Sequence, residues 1–333
     1  MKLCQFQVPG GGPRVGVVDG DTVVDITSPR QGVGSLLELL LRGRTSVGIE
    51  RLARRLAREP RRRRYRWDEI DRAASPRRLG LLVPLAAPEI WGAGITYRRS
   101  REYYSEHDTG HGHRAKGIYD HVYEAERPEL FFKATTSRAV GPHAPLGIRG
   151  DSTLTAVEAE LAVVVGVGNR IVGYSIGNDL SAWDIERENP LFLPQSKIFQ
   201  DCFAFGPVLA MASTVPDPHA LSIRCAIERD GRVLYDGQAS TRDLKRRCEE
   251  LVDWLGRYNP IPPGTVLSTG TGILVPDEHA LRDGDVVRIT IEPIGTLTNP
   301  VRRLVKDGPA GGRPRRLSAT GDPPGRDRAP SPA

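Results

Sequence analysis

The sequence predicts a strand-rich α+β protein, with a small N-terminal α+β domain over residues 1–85 and a larger domain over 86–305. Three observations lead there. Between 86 and 305 the apolar residues fall in short β-branched runs separated by turn pairs at Gly168-Asn169, Asp230-Gly231 and Asp283-Gly284. One amphipathic helix interrupts these runs, over 241–257. Before residue 86, alternating segments are mixed with helical ones, and Pro84 and Pro88 mark the change to the Gly-rich segment IWGAGITY.

Along the chain, residues 1 to about 25 alternate as short strands, with Asp19-Gly20-Asp21 as a turn. SLLELLLR, residues 35–42, starts a helix; helical spacing resumes from Ile49 to Leu56 and stops at Pro60. In the 241–257 helix, Leu244, Cys248, Leu251, Val252 and Leu255 form one apolar stripe, capped by Ser240 and Asp243. From Lys306 onward there is almost no large apolar residue, which predicts a disordered basic tail over 306–333.

Composition narrows the function. At 333 residues and 39% hydrophobic, the chain can bury a core without disulfides. Cys4, Cys202, Cys225 and Cys248 are scattered without CxxC spacing, which excludes a disulfide framework or a zinc finger. No run approaches the ~18 apolar residues of a membrane span, and the first residues lack the apolar stretch of a signal peptide. A cytoplasmic location and no membrane partner are expected. The net charge of +6 is concentrated in nine arginines between Arg51 and Arg66 and in the tail. No nucleic-acid module accompanies them, so they read as a solvated face, and no nucleic-acid partner is expected.

The chemistry centres on residues 155–186, TAVEAELAVVVGVGNRIVGYSIGNDLSAWDIE. In a strand, side chains at i and i+2 share a face, so Glu158 and Glu160 point the same way. If the Gly168-Asn169 turn centres a regular hairpin, residues whose numbers sum to 337 lie opposite each other, and Asp179 faces Glu158. Three carboxylates then converge. Like charges at ~4 Å repel by a few kcal/mol even at an effective dielectric of about 20. Either protons are shared, or a cation sits among them. All-oxygen donors select a hard ion, Mg²⁺, Mn²⁺ or Ca²⁺.

The order of these motifs (ExE on a strand, YSIGNDLSA, a lysine in SKIFQ and the segment STGTG) resembles the fumarylacetoacetate hydrolase superfamily over about residues 86–300. The resemblance implies a β-roll catalytic domain that holds one Mg²⁺ (or Mn²⁺ or Ca²⁺) on Glu158, Glu160 and Asp179. It also implies a 2-oxo or diketo acid substrate chelating that ion, and a homo-oligomer, dimer or tetramer. Such an ion acts as a Lewis acid on the 2-oxo group and stabilises an enolate. By position, Lys197 is the active-site lysine, with a lowered pKa suited to proton transfer. Thr271 is a contact for the substrate carboxylate, and Lys133 is either a substrate contact or a structural ion pair.

Two departures from the hydrolase pattern bear on the reaction. Seven residues after Asp179 the hydrolases carry Gln where this chain has Glu186, which can act as an acid or base. In GITYRRSREYYSEHD, Arg and Ser replace an expected His. ERPELFFKAT, ENPLFLPQSK and TGTGILVPDE instead resemble the subgroup of 2-keto-3-deoxy-D-arabinonate and 2-keto-3-deoxy-xylonate dehydratases, which form 2-oxoglutarate semialdehyde. Residues 98–124 read as a polar lid. Glu106 and His107 form its acid–base pair, Arg98 and Arg101 are contacts for substrate oxygens, and His111 and His113 are solvated. The expectation is a metal-dependent dehydratase. A C–C hydrolase of acylpyruvate-type diketo acids, needing a Glu106/His107 dyad to activate water, is the alternative, and a non-catalytic basic nucleic-acid-binding protein is the remote one.

Overall fold

The structure, a computed structural model, describes residues 1–107 and 117–305, without the side chains of Tyr104, Glu106 and His107. His111, His113 and the tail from Lys306 lie outside the described residues. The N-terminal part forms β1 (Lys2–Val8), β2 (Gly12–Asp19) and β3 (Thr22–Asp25), then α1 (Leu36–Gly43), α2 (Ser46–Ala57), β4 (Arg64–Arg66), α3 (Trp67–Ile70) and β5 (Gly80–Leu81). Ser35 and Thr45 cap α1 and α2 by accepting from the backbone N–H of Glu38 and Gly48. The two helices therefore fall within a few residues of the expected segments. On α2, Ile49, Ala53 and Leu56 are buried while Arg51, Arg54 and Arg55 face outward, the solvated face read from the sequence.

The larger part contains β6 (Ile90–Gly94), α4 (Arg98–His107), α5 (Ile118–Glu124), β7 (Glu129–Ala134), β8 (Ala139–Val140), β9 (Leu146–Ile148), β10 (Thr155–Ala156), β11 (Ala159–Val165), β12 (Ile171–Asp179) and β13 (Ser181–Ala182). It continues through α6 (Trp183–Glu188), α7 (Leu193–Lys197), β14 (Phe203–Met211), β15 (Ser222–Arg229), β16 (Arg232–Ser240), α8 (Cys248–Gly256), β17 (Val266–Thr271), β18 (Val286–Ile291) and β19 (Gly295–Arg303). The main sheet runs β4-β3-β2-β1-β14-β12-β11-β17-β6-β7, and a second sheet runs β16-β15-β18-β19-β9. The N-terminal strands join the main sheet directly, since β1 pairs antiparallel with β14 at Lys2↔Ala210 and Leu3↔Leu209. The strand-rich α+β class holds.

β11 and β12 are buried along nearly their whole length and form the centre of the sheet. Their register is Ala159↔Asn178 through Val164↔Gly173, the sum of 337 expected from the Gly168-Asn169 turn. Both turn residues have positive φ, 70° and 56°, as a tight hairpin of this kind requires. The pairing slips at Val165, where a bulge next to the turn absorbs one residue.

The expected 241–257 helix is shorter. Thr241–Asp243 is a 3-10 turn capped by Ser240, and α8 starts only at Cys248. Between them Leu244 bridges to Tyr97, and the backbone N–H of Lys245 donates to Thr96 O (2.9 Å). That non-local pairing holds the segment extended against its helical pattern. The described residues of the stretch read as a polar lid, 98–124, form α4 and α5, packed on each other, with Arg101 bridging to Asp120 (3.6 Å) and lying over the Tyr123 ring.

Candidate active site

The β11–β12 pairing brings the three carboxylates together. Asp179 N–H donates to Glu158 O (3.0 Å), extending the ladder to the expected pair. One carboxylate oxygen from each of Glu158, Glu160 and Asp179 lies within 4.8 Å of the others, and all three residues are buried. Glu160 is held from behind by the Gly270 N–H, which donates to its Oε2 (2.7 Å). Burial pushes the Glu160 carboxyl well above its ordinary range, and the charges of Asp179 and Glu158 push it further. Closely set, desolvated, oxygen-only donors of this kind fit a hard divalent cation, which would relieve the repulsion.

Two buried lysines compensate the trio. Lys197, at the end of α7, directs Nζ at Glu158 Oε2 (2.8 Å), Asp179 Oδ2 (3.2 Å) and Ser181 Oγ (2.7 Å). Burial alone would lower its pKa, but Asp179, Glu158 and Glu186 outweigh burial and raise it well above the ordinary value. The lowered pKa expected from the sequence assumed a neighbouring cation; the carboxylates set the sign here. Lys133, fully buried on β7, donates to Leu180 O (2.7 Å) and Lys197 O (2.6 Å), and lies 2.6 Å from Asp179 Oδ1 in an ion pair not aligned as a hydrogen bond. Of its two expected roles the structure gives the ion pair. It is wholly buried where the β6–β7 pairing slips, with two donors on carbonyl oxygens and its charge beside Asp179.

Beside the trio is a narrow cavity of about 30 Å³, lined among others by Glu129, Phe131, Glu158, Glu186, Lys197 and Thr271. Glu186, on α6, is buried, and among the described residues its Oε2 has no hydrogen-bond partner. Burial raises its pKa to about 7, opposed by Lys197 and reinforced by Glu158, Glu129 and Asp179. Glu129 is half-buried as a residue, but its carboxyl packs against Gly94, where an added Cβ would meet Oε2 at 2.1 Å. Its pKa is likewise raised by burial, with Lys197 opposing. Thr271 lines the cavity while its hydroxyl donates to Ala159 O (3.0 Å). A larger hollow of about 640 Å³ between the 168–171 turn and α8 is open and lined by Arg170, Arg257, Glu249 and Asp253. Its charged groups do not converge on a buried centre as the carboxylate trio does.

The structure does not bring every expected residue to this cavity. Arg98 is exposed and pairs with Glu102 (2.8 Å), an i,i+4 contact along α4, and Arg101 is taken up between α4 and α5. The backbones of Glu106 and His107 end α4; their side chains lie outside the described residues. Sequence reasoning missed Glu129, Ser181 and Trp183. Glu129 carried a signal, because strand alternation sets it on the face of Phe131, and both line the cavity. Trp183 Nε1 donates to Glu158 Oε1 (2.8 Å), a contact that no spacing rule foretells.

The strand that pairs with Glu160, β17, is sensitive to a single methyl group. Gly270 has φ +93°, and a Cβ there would meet Thr96 Oγ1 at 2.0 Å and Ala93 O at 2.9 Å. Gly270→Ala is expected to lower stability by about 3 kcal/mol, from backbone strain and overpacking together. Urea unfolding measures this, and an unchanged midpoint would contradict the geometry.

Comparison with known proteins gives the family. The family described as fumarylacetoacetate (FAA) hydrolase C-terminal matches residues 90–302. The chain is 47% identical over 223 residues to a 2-dehydro-3-deoxy-D-arabinonate dehydratase of Saccharolobus solfataricus, covering 67% of this chain and 74% of that protein. It is 41% identical over 283 residues to a probable 2-keto-3-deoxyxylonate dehydratase of Haloferax volcanii, covering 84% and 92%. A solved structure of 2-keto-3-deoxy-D-arabinonate dehydratase complexed with magnesium and 2,5-dioxopentanoate superposes with a TM-score of 0.75 at 35% identity, over 92% of this chain and all of that one. The chain therefore belongs to the fumarylacetoacetate hydrolase family.

Proposed function

We propose that this protein is a divalent-metal-dependent hydro-lyase that dehydrates a 2-keto-3-deoxy sugar acid, giving 2,5-dioxopentanoate (2-oxoglutarate semialdehyde) from a five-carbon acid. The observation that carries this reading is the buried trio Glu158–Glu160–Asp179 beside two further carboxyls, Glu129 and Glu186, both held above the ordinary carboxylate range. The dehydratase names of the two relatives and the magnesium of the solved one support it. Glu158, Glu160 and Asp179 would hold Mg²⁺, for which Mn²⁺ or Ca²⁺ could substitute. When bound, the ion supplies Lewis-acid polarisation of the 2-oxo group.

The remaining steps fall to the chain's own residues. The three N–H bonds of Lys197 are committed to Glu158, Asp179 and Ser181, so it neutralises the trio and has no lone pair for the C3 proton. Glu129 takes that proton. The C3–H electrons form the C3=C4 double bond as the C4–O bond breaks, and Glu186, carrying a proton near neutral pH, donates it so that water leaves. Loss of one C5 hydrogen and the C5 hydroxyl proton, with protonation at C4 and C3, then gives the aldehyde without any oxidant. Thr271 faces the cavity where the substrate carboxylate would lie.

Purified protein with Mg²⁺, offered a panel of 2-keto-3-deoxy pentonates and acylpyruvates and followed by NMR, tests the reading. Dehydration of a pentonate that stops on chelation is the expected result. Cleavage of acylpyruvates with no dehydration would replace it with the hydrolase reading.

A further inference from the structure

Trp183 has no place in the reaction above, yet it is fully buried and reaches the trio. We infer that Trp183 is a positioning residue for Glu158, its indole N–H fixing the carboxylate in the orientation that the divalent ion needs. The inference rests on the metal reading of the trio. A carboxylate on three rotatable bonds can turn either oxygen to a neighbouring ammonium. Here the two oxygens are assigned: Oε2 takes the Lys197 ammonium at 2.8 Å, and Oε1 takes Trp183 Nε1 at 2.8 Å. Without the indole donor, Glu158 loses the contact that fixes Oε1, and its carboxylate is less firmly held in the orientation facing Glu160 and Asp179.

The indole is itself held. Its backbone N–H donates to Leu154 O (2.9 Å), beside the two-residue ladder Thr155↔Ala182 and Ala156↔Ser181 that sets α6 against the strand leading to Glu158. Arg187, one turn along α6, lies over the ring at 5.4 Å, and Tyr103 from α4 packs on it at 5.5 Å. Arg187 is anchored by two bonds to Asp277 (2.6 and 3.0 Å) and one to the Tyr103 hydroxyl (3.0 Å), which in turn donates to Asp277 Oδ1 (2.9 Å). Three elements far apart in sequence thus grip one ring whose polar edge meets a ligand. Outer partners that orient a ligand are commonly worth ten- to a hundredfold in metal affinity.

The test is Mn²⁺ affinity, read by the EPR signal of free Mn²⁺, in the full chain without substrate. Trp183→Phe removes the N–H and keeps an aromatic ring. Replacing Trp183 with benzothienylalanine, of the same shape but without the N–H, separates the hydrogen bond from packing and decides the matter should the phenylalanine variant fail to fold. Mn²⁺ binding roughly tenfold weaker than wild type in the isostere is the expected result. Wild-type affinity in the isostere would overturn the inference, whatever the phenylalanine variant does. Should the wild-type protein itself bind no Mn²⁺, it is the metal reading that fails.

Discussion

Asp179→Asn is expected to abolish turnover, by ~10³-fold or more, and to destabilise the fold at the same time. Loss of a metal ligand removes Lewis-acid stabilisation worth several kcal/mol, and each 1.36 kcal/mol is about tenfold in rate. Asp179 is also the carboxylate shared by two buried ammonium groups, Lys133 at 2.6 Å and Lys197 at 3.2 Å. Removing one member of a buried charge pair leaves the partner uncompensated and costs about 3–5 kcal/mol. Both Mn²⁺ binding and the unfolding midpoint should therefore fall in the same variant. A destabilised protein that still bound Mn²⁺ with wild-type affinity would reduce Asp179 to a structural residue and take the metal assignment with it.

Glu186→Gln should lower kcat by about 10²- to 10⁴-fold while leaving Mn²⁺ affinity close to wild type, because it removes a proton donor and no ligand. In the wild-type protein, the rate should decline as pH rises through the pKa of this carboxyl, about 7 in the free protein. The variant should lack that limb. Stability gives an independent check in chelator-treated protein. Burial raises the folded-state pKa above the ordinary 4.5, so the stabilisation that comes with the proton is whole below pH 4.5 and is lost as pH rises through 7. Above that pH the wild type carries a buried charge that glutamine does not. Glu186→Gln should then be the more stable protein, by about 3 kcal/mol at most, with the difference vanishing in acid. A pH-independent difference would show that Glu186 does not titrate in this range.

The centre of the site was legible because it depends on local rules. Alternation places Glu158 and Glu160 on one face, and the Gly168-Asn169 turn fixes the register that brings Asp179 opposite, so residue types and one turn suffice. What lay outside such rules was missed or misplaced. The helix expected over 241–257 loses its first turns because Leu244 and Lys245 are recruited by Tyr97 and Thr96, almost 150 residues earlier. Trp183 and Ser181 reach Glu158 and Lys197 only through the packing of α6 and α7 on the sheet. The Lys197 shift depends on what sits among the carboxylates: their three charges raise it in the metal-free protein, whereas the lowered value expected from the motif belongs to a site with a cation bound. Glu129 is different: alternation along ELFFKA sets it on the face of Phe131, which lines the same cavity.

The pairing of β1 with β14 has a practical consequence for anyone re-engineering the chain. The seam between the opening 85 residues and the remainder is a line of main-chain bonds, continued by Met211 N–H to Met1 O, and not a detachable hinge. A shortened version beginning near residue 86 would leave bare donors and acceptors at Leu209–Met211, a template on which a second molecule could zip up. Chimaeras joining the front of one relative to the back of another must match both sides of that seam, strand for strand, before any question of substrate choice arises.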